Sequence, residues 1–272
     1  MLNKKERALL FLIAQSGTVT KMKLVKLMFL LSQDWRLYDF VPYRFGPFSF
    51  QLYHDLLHLQ RDGYIKMDEN TVGFNDGMVM KPDFFIQESI KKCVSDFSNQ
   101  GDKQVIDYVY NRFPEFTIFS EIKRIQKYNR DETGITTIGY EGRTIDAFLF
   151  TLIQNKICTL IDVRKNPYSM KYGFTKSPLS EYLRNLGMSY MHLPELGIEA
   201  ERRRNLSLNG SKRLLESYEL ELKSKKSDLS RIRERAEKEK VALMCFERDV
   251  RHCHRGVIAN KFRSEGLEVT DL

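Results

Sequence analysis

Val241-Ala242-Leu243-Met244-Cys245-Phe246-Glu247-Arg248-Asp249-Val250-Arg251-His252-Cys253-His254-Arg255 is the stretch on which the fold turns. Val241–Phe246 is a continuous apolar run of strand length, the kind that is buried on both faces of a parallel sheet. A polar loop follows, and Cys253–Glu265 then reads as a helix closed by Gly266. Working outward, Cys158–Arg164 is a second apolar strand of the same kind. Ile135–Tyr140 and Ser189–Leu193 are strands, and Leu267–Thr270 is the last. Thr144–Lys156, with Thr144 as N-cap, and Pro178–Leu186 are helices between them. Alternating strands and helices predict an α/β fold, a mostly parallel sheet with helices on both faces.

Between the third and fourth of these strands, Glu199–Lys240 holds 22 charged residues in 42. That density favours a solvated helical hairpin covering the active site. The alternative is a phosphate-contacting lid that uses Arg202, Arg203 and Arg204. The first 70 residues read as three helices and a short hairpin, a winged-helix layout. Lys4–Gln15 carries an apolar stripe. Thr20 caps Lys21–Ser32. The segment 43–49 is a turn, a third helix carries Leu52, Leu56 and Leu59, and Gly63 ends it. Tyr64–Met67 and Thr71–Phe74 form the wing. Ser89–Asn129 reads as one or two helices interrupted by Pro114. The polar run at 131–134 places a domain boundary, giving a helical winged-helix-like domain at 1–130 and an α/β domain at 131–272.

The chain has 272 residues and a net charge of +8, and residues 1–130 and 131–272 carry +4 each. A basic balance raises the prior for a polyanionic partner, but neither half is a basic arm. The apolar runs fall far short of a membrane span, and Ala8–Ala14 lacks the cleavage site of a signal peptide. Four cysteines do not form a disulfide framework, so a reducing cytoplasm is expected.

In an open parallel sheet, ligands sit outside the carboxyl ends of the strands. The residues placed there are Tyr140, Glu141 and Arg143, then Asp162, Arg164 and Ser169, then His192, then Cys245 to Arg255. Three kinds of chemistry compete for the densest group. Cys245, Cys253, His252 and His254 are zinc-type ligands, although adjacent Cys253 and His254 suit chelation poorly. Cys253 at a helix N-terminus is a candidate nucleophile, with Arg255 near it. Glu247 and Asp162 on neighbouring loops are candidate bases, with Arg143, Arg164 and Arg255 to hold phosphate. Against these stands a plain packing role, in which Cys245 and Cys253 are small buried hydrophobes and the His and Arg cap a helix. His54 and His58 are expected on a solvated face. Glu247, Asp162 and Cys253 are the catalytic candidates. Tyr140, Glu141, Arg143, Arg164, Ser169, His192, Cys245, Phe246, His254 and Arg255 are the substrate-binding candidates. Neither metal nor cofactor is expected.

Four motifs carry a family resemblance. They are Ile138-Gly139-Tyr140-Glu141-Gly142, Ile161-Asp162-Val163-Arg164 with Pro167 and Ser169, Tyr190-Met191-His192-Leu193-Pro194 with Leu196-Gly197, and Leu243-Met244-Cys245-Phe246-Glu247 leading to Cys253-His254-Arg255. From Thr136 onward the chain resembles the domain of unknown function 488 family. Val250 stands where that family usually has a proline, and Ile198 where a second glycine often follows. Lys23–Phe29 and Tyr43-Arg44-Phe45-Gly46-Pro47 resemble, more distantly, the SocA-type antitoxin (Panacea) domain. The first resemblance implies an enzyme, and the association of that family's relatives with DNA modification and phage-defence genes implies a nucleic-acid or nucleotide substrate.

The favoured reading is an enzyme acting on DNA that hydrolyses a bond in a base or nucleotide, as a glycosylase in phage defence. Glu247 or Asp162 activates water, and Tyr140, His192 or Phe246 stacks on an extruded base. Too few carboxylates are available for a two-metal phosphodiesterase, which favours metal-free base excision. One alternative is a regulator that senses a nucleotide or redox signal through Cys245 and Cys253. The other is an adaptor that binds a protein through the N-terminal domain.

Overall fold

Asn3 opens the first helix. Its side chain accepts from the Lys5 and Glu6 backbone N–H groups, and the Glu6 carboxylate accepts from the Asn3 N–H. This capping box starts α1 (Lys4–Ser16), which buries Leu9, Leu10, Leu12 and Ile13. The computed structural model describes residues 2–75, 77, 79–203 and 207–272, in two units, Met1–Tyr128 and Asn129–Leu272.

In the first unit, β1 (Val19–Thr20) leads into α2 (Lys21–Trp35), where the Thr20 side chain accepts from the Lys23 N–H as an N-cap. The segment read as a turn is a hairpin of β2 (Val41–Tyr43) and β3 (Gly46–Phe48). Prolines facing each other in both strands, Pro42 and Pro47, hide it from a propensity reading. Gly46 has φ +84°, and a Cβ there would fall 2.5 Å from the Tyr110 ring. Helix α3 (Phe50–Arg61) buries Leu52, Leu56 and Leu59. The hairpin of β4 (Ile65–Met67) and β5 (Thr71–Phe74) follows, and β5 also pairs with β1. Then come α4 (Phe84–Asp96), α5 (Asp102–Arg112) and a 3-10 turn at Pro114–Thr117.

The helical reading of 89–129 therefore holds only in part. The first helix starts five residues earlier, and none covers 118–129. There the Ser120 hydroxyl accepts from the Ile122 N–H and the Thr117 hydroxyl from the Ile125 N–H. These side-chain bonds take the donors that a helix would use.

The second unit runs β6 (Gly134–Gly139), α6 (Ile145–Gln154), β7 (Thr159–Asp162), α7 (Lys176–Asn185), β8 (Ser189–His192), α8 (Ala200–Arg203), α9 (Leu208–Leu222), α10 (Lys226–Ala236), β9 (Lys240–Cys245), α11 (His254–Ser264) and β10 (Val269–Asp271). The sheet order is β10-β6-β9-β7-β8, parallel throughout, with helices on both faces. Along β9, Val241, Leu243 and Cys245 face one side, and the alternate residues Ala242 and Met244 face the other. The first set joins a core with Tyr218 and Leu222 of α9, Ile232 and Ala236 of α10, and Ile258 and Phe262 of α11.

The charged insertion thus differs from a solvated hairpin. Its two long helices keep a charged face in water and place Tyr218, Leu222, Ile232 and Ala236 in the sheet's covering layer, while Leu220 stays exposed. No helix among the described residues is long and apolar enough to cross a membrane.

Candidate functional site

A parallel sheet points every strand's carboxyl end the same way, so Gly139, Asp162, His192 and Cys245 end at one edge. Strand β9 lies between β6 and β7, which puts its loop centrally. Gly139 is required there for close approach. A Cβ on it would lie 2.0 Å from the Glu247 carbonyl oxygen. Gly197 plays the same part for the loop after β7, with a Cβ 2.0 Å from the Lys165 nitrogen.

Asp162 is fully buried at the end of β7. One carboxylate oxygen accepts from the Arg164 N–H (3.0 Å) and Nε (2.8 Å). The other accepts from Arg164 Nη2 (2.6 Å) and the Tyr190 hydroxyl (2.6 Å). Arg164 Nη1 donates to the Tyr140 hydroxyl at 3.0 Å. Burial works against the Arg164 charge, but the hydrogen bonds and charge of Asp162 outweigh it and raise the guanidinium pKa. Burial and the same carboxylate push the Tyr190 phenol well up. His192 Nε2 lies 2.9 Å from the Arg164 carbonyl. Tyr140 is buried and stacked on Phe174, with ring centroids 4.3 Å apart.

Glu247 is different. Its side chain is 26% exposed. The Cys245 thiol donates to one carboxylate oxygen at 3.3 Å, and Arg203 Nη1 reaches the other at 3.4 Å. Burial pushes this carboxyl up, yet hydrogen bonds from Cys253 and Cys245, its own backbone and the His254 charge together hold it below its usual value. Phe246, next to it, is exposed and meets Tyr140 edge to face. Arg248 is exposed on the same loop, and its backbone N–H donates to the Glu141 carboxylate.

Cys245, Cys253 and His254 come together behind Glu247, all buried. Nδ1 of His254 lies 3.9 Å from the Cys245 sulfur and 4.0 Å from the Cys253 sulfur. Nε2 of His254 lies 2.8 Å from the Val163 carbonyl. Burial, with Cys245 adjoining, pushes the Cys253 thiol well above its usual range. His252 points elsewhere. It is exposed, with Nδ1 3.6 Å from Asp249.

The phosphate-gripping candidates each donate within the fold, although the buried Nε of Arg143 and of Arg255 has no hydrogen-bond partner among the described residues. Arg255 is buried and donates to the carbonyls of Glu247 and Arg248, so it pins the loop. Arg143 Nη1 donates to Thr151. Ser169 accepts from the Lys171 N–H, and its carbonyl accepts from the Thr175 hydroxyl, which organises the loop after β7. In the charged insertion, Arg202 forms a two-pronged pair with Glu221, and Arg203 reaches the site. Arg204 and Leu206 lie outside the described residues.

Three contributors escaped the sequence reading. Tyr190 was legible as part of its motif but not as the partner of Asp162. Lys171 donates to the Tyr140 carbonyl. Tyr218 of α9 is fully buried, donates to the Leu196 carbonyl at 2.6 Å and meets the His254 ring edge to face. A lone tyrosine in a charged run carries no signal of such a role. In the first unit, His54 and His58 pack ring against ring on α3, with centroids 4.1 Å apart. That unit also holds a cavity of about 680 Å³ lined in part by Val25, Lys26, Tyr43 and Phe48.

Compared with known proteins, residues 144–262 match the model of the domain of unknown function DUF488. The matched span takes in Asp162, Arg164, His192, Cys245, Glu247, Cys253, His254 and Arg255, and leaves out Tyr140 and Glu141. The resemblance to this family holds over that segment. The SocA-type resemblance of the N-terminal region is not shown by these matches. No curated protein and no solved structure matches the chain.

Proposed function

We propose that this chain is a hydrolase acting on a base or nucleotide of DNA, with Glu247 as the group that activates water. The observation carrying this reading is the placement of Glu247. It is a carboxylate at the strand-end edge whose side chain stays 26% exposed beside Arg203, and its surroundings hold its pKa below the usual value. A base must be unprotonated at working pH and within reach of solvent. Beside it, exposed Phe246 offers a ring face for a nucleobase, and exposed Arg248 offers charge for a phosphate. Tyr168 and Met170, both exposed on the loop after β7, add apolar surface to the same edge.

In this reading Asp162 is a positioning residue. Its lone pairs are taken by Arg164 and Tyr190, and through Arg164 it sets Tyr140. Cys253 is not the nucleophile, because burial keeps its thiol protonated. Cleavage of the glycosidic bond, as in phage defence, is the narrower form of the proposal. The test is release of free base from modified and unmodified DNA, followed by mass spectrometry. Glu247→Gln should lower turnover by about 10²–10⁴-fold with DNA binding intact. Undiminished turnover in that variant removes Glu247 from the chemistry.

For the first unit we propose a winged-helix contact module. Its element order and three-stranded sheet support that layout. A protein partner is favoured over the duplex by the outer side of α3 and by α4. Leu57, Phe84 and Phe85 are exposed there, while Asp55 is buried and bonded to Tyr38. A pull-down that survives nuclease treatment would support the protein partner, and one abolished by it would favour DNA.

A further inference from the structure

We propose that Cys245, Cys253 and His254 bind one zinc-type divalent cation through two thiolates and Nδ1, with a fourth position open toward Glu247. The two sulfurs and Nδ1 all lie within 4.8 Å of one another. Tetrahedral zinc, with bonds of about 2.3 Å to sulfur and about 2.0 Å to nitrogen, separates its ligand atoms by roughly 3.6–3.8 Å. The 3.9 and 4.0 Å separations from Nδ1 need only a small contraction to meet that.

The imidazole is already turned for the task. A carbonyl oxygen only accepts, so Nε2 opposite Val163 carries a proton and Nδ1 is the nitrogen turned toward the two sulfurs, where the neutral ring would offer its lone pair to a cation. Zinc-binding histidines are fixed in just this way, by a backbone carbonyl on the far nitrogen. Adjacent Cys253 and His254 converge because the backbone changes between them. Cys253 is extended, at φ −131° and ψ 141°, and His254 is the first residue of α11. The sequence spacing, which argues against chelation by one segment, does not include that change.

The cluster is buried, and protein groups pack against it. Tyr218 meets the His254 ring, and Val163 holds its far nitrogen. The partly exposed Glu247 carboxylate also adjoins it, 3.3 Å from the Cys245 sulfur. Three protein ligands with one open position are the arrangement of catalytic zinc, whereas structural zinc takes four. Two thiolates and one imidazole favour zinc over magnesium or calcium. Among zinc enzymes that work on nucleobases, a Cys/Cys/His set with an unligated glutamate beside the bound water is a known solution. All four cysteines are free, so the thiols are available. Binding is balanced as one cation taken up, two thiol protons released to solvent and no change of oxidation state. The site follows from donor geometry and does not depend on the activity proposed above.

The test uses the full chain, stripped with chelator under reducing conditions and titrated with Co²⁺ and then with Zn²⁺. The expected result is one equivalent bound, about two protons released, and a tetrahedral Co²⁺ spectrum with thiolate charge-transfer bands that Zn²⁺ abolishes. Cys245→Ser and Cys253→Ser should lose those bands, while Cys93→Ser, Cys158→Ser and His252→Ala keep them. X-ray absorption on the zinc-loaded wild type needs no variant. It should find two sulfurs at about 2.3 Å and nitrogen at about 2.0 Å. Binding without sulfur in the coordination shell would overturn the assignment. So would no stoichiometric binding by the reduced chain, or bands that persist in both serine variants.

Discussion

Asp162 and Glu247 are carboxylates at neighbouring strand ends, and their surroundings give them opposite tasks. Asp162 has no exposure and four donors, so it is a fixed anion that orients Arg164, Tyr190 and, at one remove, Tyr140. Asp162→Ala would strand the buried guanidinium, and the cost should be about 3–5 kcal/mol. Urea unfolding followed by the loss of tertiary signal measures this, and a cost under about 1 kcal/mol would mean that Arg164 finds other partners. Both carboxylates were legible as strand-end residues. Which of them reached solvent was not, because exposure depends on Tyr190 and Arg164, and sequence spacing says nothing about where a phenol turns. The Cys/His cluster was legible as ligand types but not as a cluster. Its closeness comes from an eight-residue loop folding back onto the end of β9, held there by Arg255 and by the missing side chain of Gly139.

At the level of elements, the buried strands and capped helices were the easiest to read, since period and caps are local. Thr20 and Thr144 both cap as their positions predict. The charged insertion misled because composition averages over faces. Tyr218, Leu222 and Ile232 are few, but helical spacing collects them on one side. Within α2, Lys26 is buried with its ammonium donating to the Pro47 carbonyl, and burial lowers its pKa to about 7. The unfolded chain keeps that proton up to about pH 10.5, so between pH 7 and 10.5 the unfolded state binds more protons than the native one. Stability of the first unit should therefore rise with pH across this window. Lys26→Met should flatten the rise, and denaturant midpoints at pH 7 and pH 9.5 check it. Equal pH slopes in the two proteins would show that the ammonium is solvated.

The molecule as a whole has two separately cored units, one mainly helical and one α/β, and each should melt on its own account. Calorimetry should resolve two transitions, with Asp162→Ala lowering one and Lys26→Met changing the pH dependence of the other. A single transition that both substitutions move would mean that the units unfold as one. The alternation of strand and helix made the second unit's architecture legible. The first unit's β2–β3 hairpin stayed hidden, because two prolines argued against strands. The last strand, β10, runs parallel to β6 at the border of the sheet, so its carboxyl end emerges on the same edge as Cys245 and Glu247. A polyhistidine tail fused after Leu272 would leave the protein only about 10 Å across the sheet from β9, and its imidazoles would compete for the cation being measured. Purification handles belong at the other terminus.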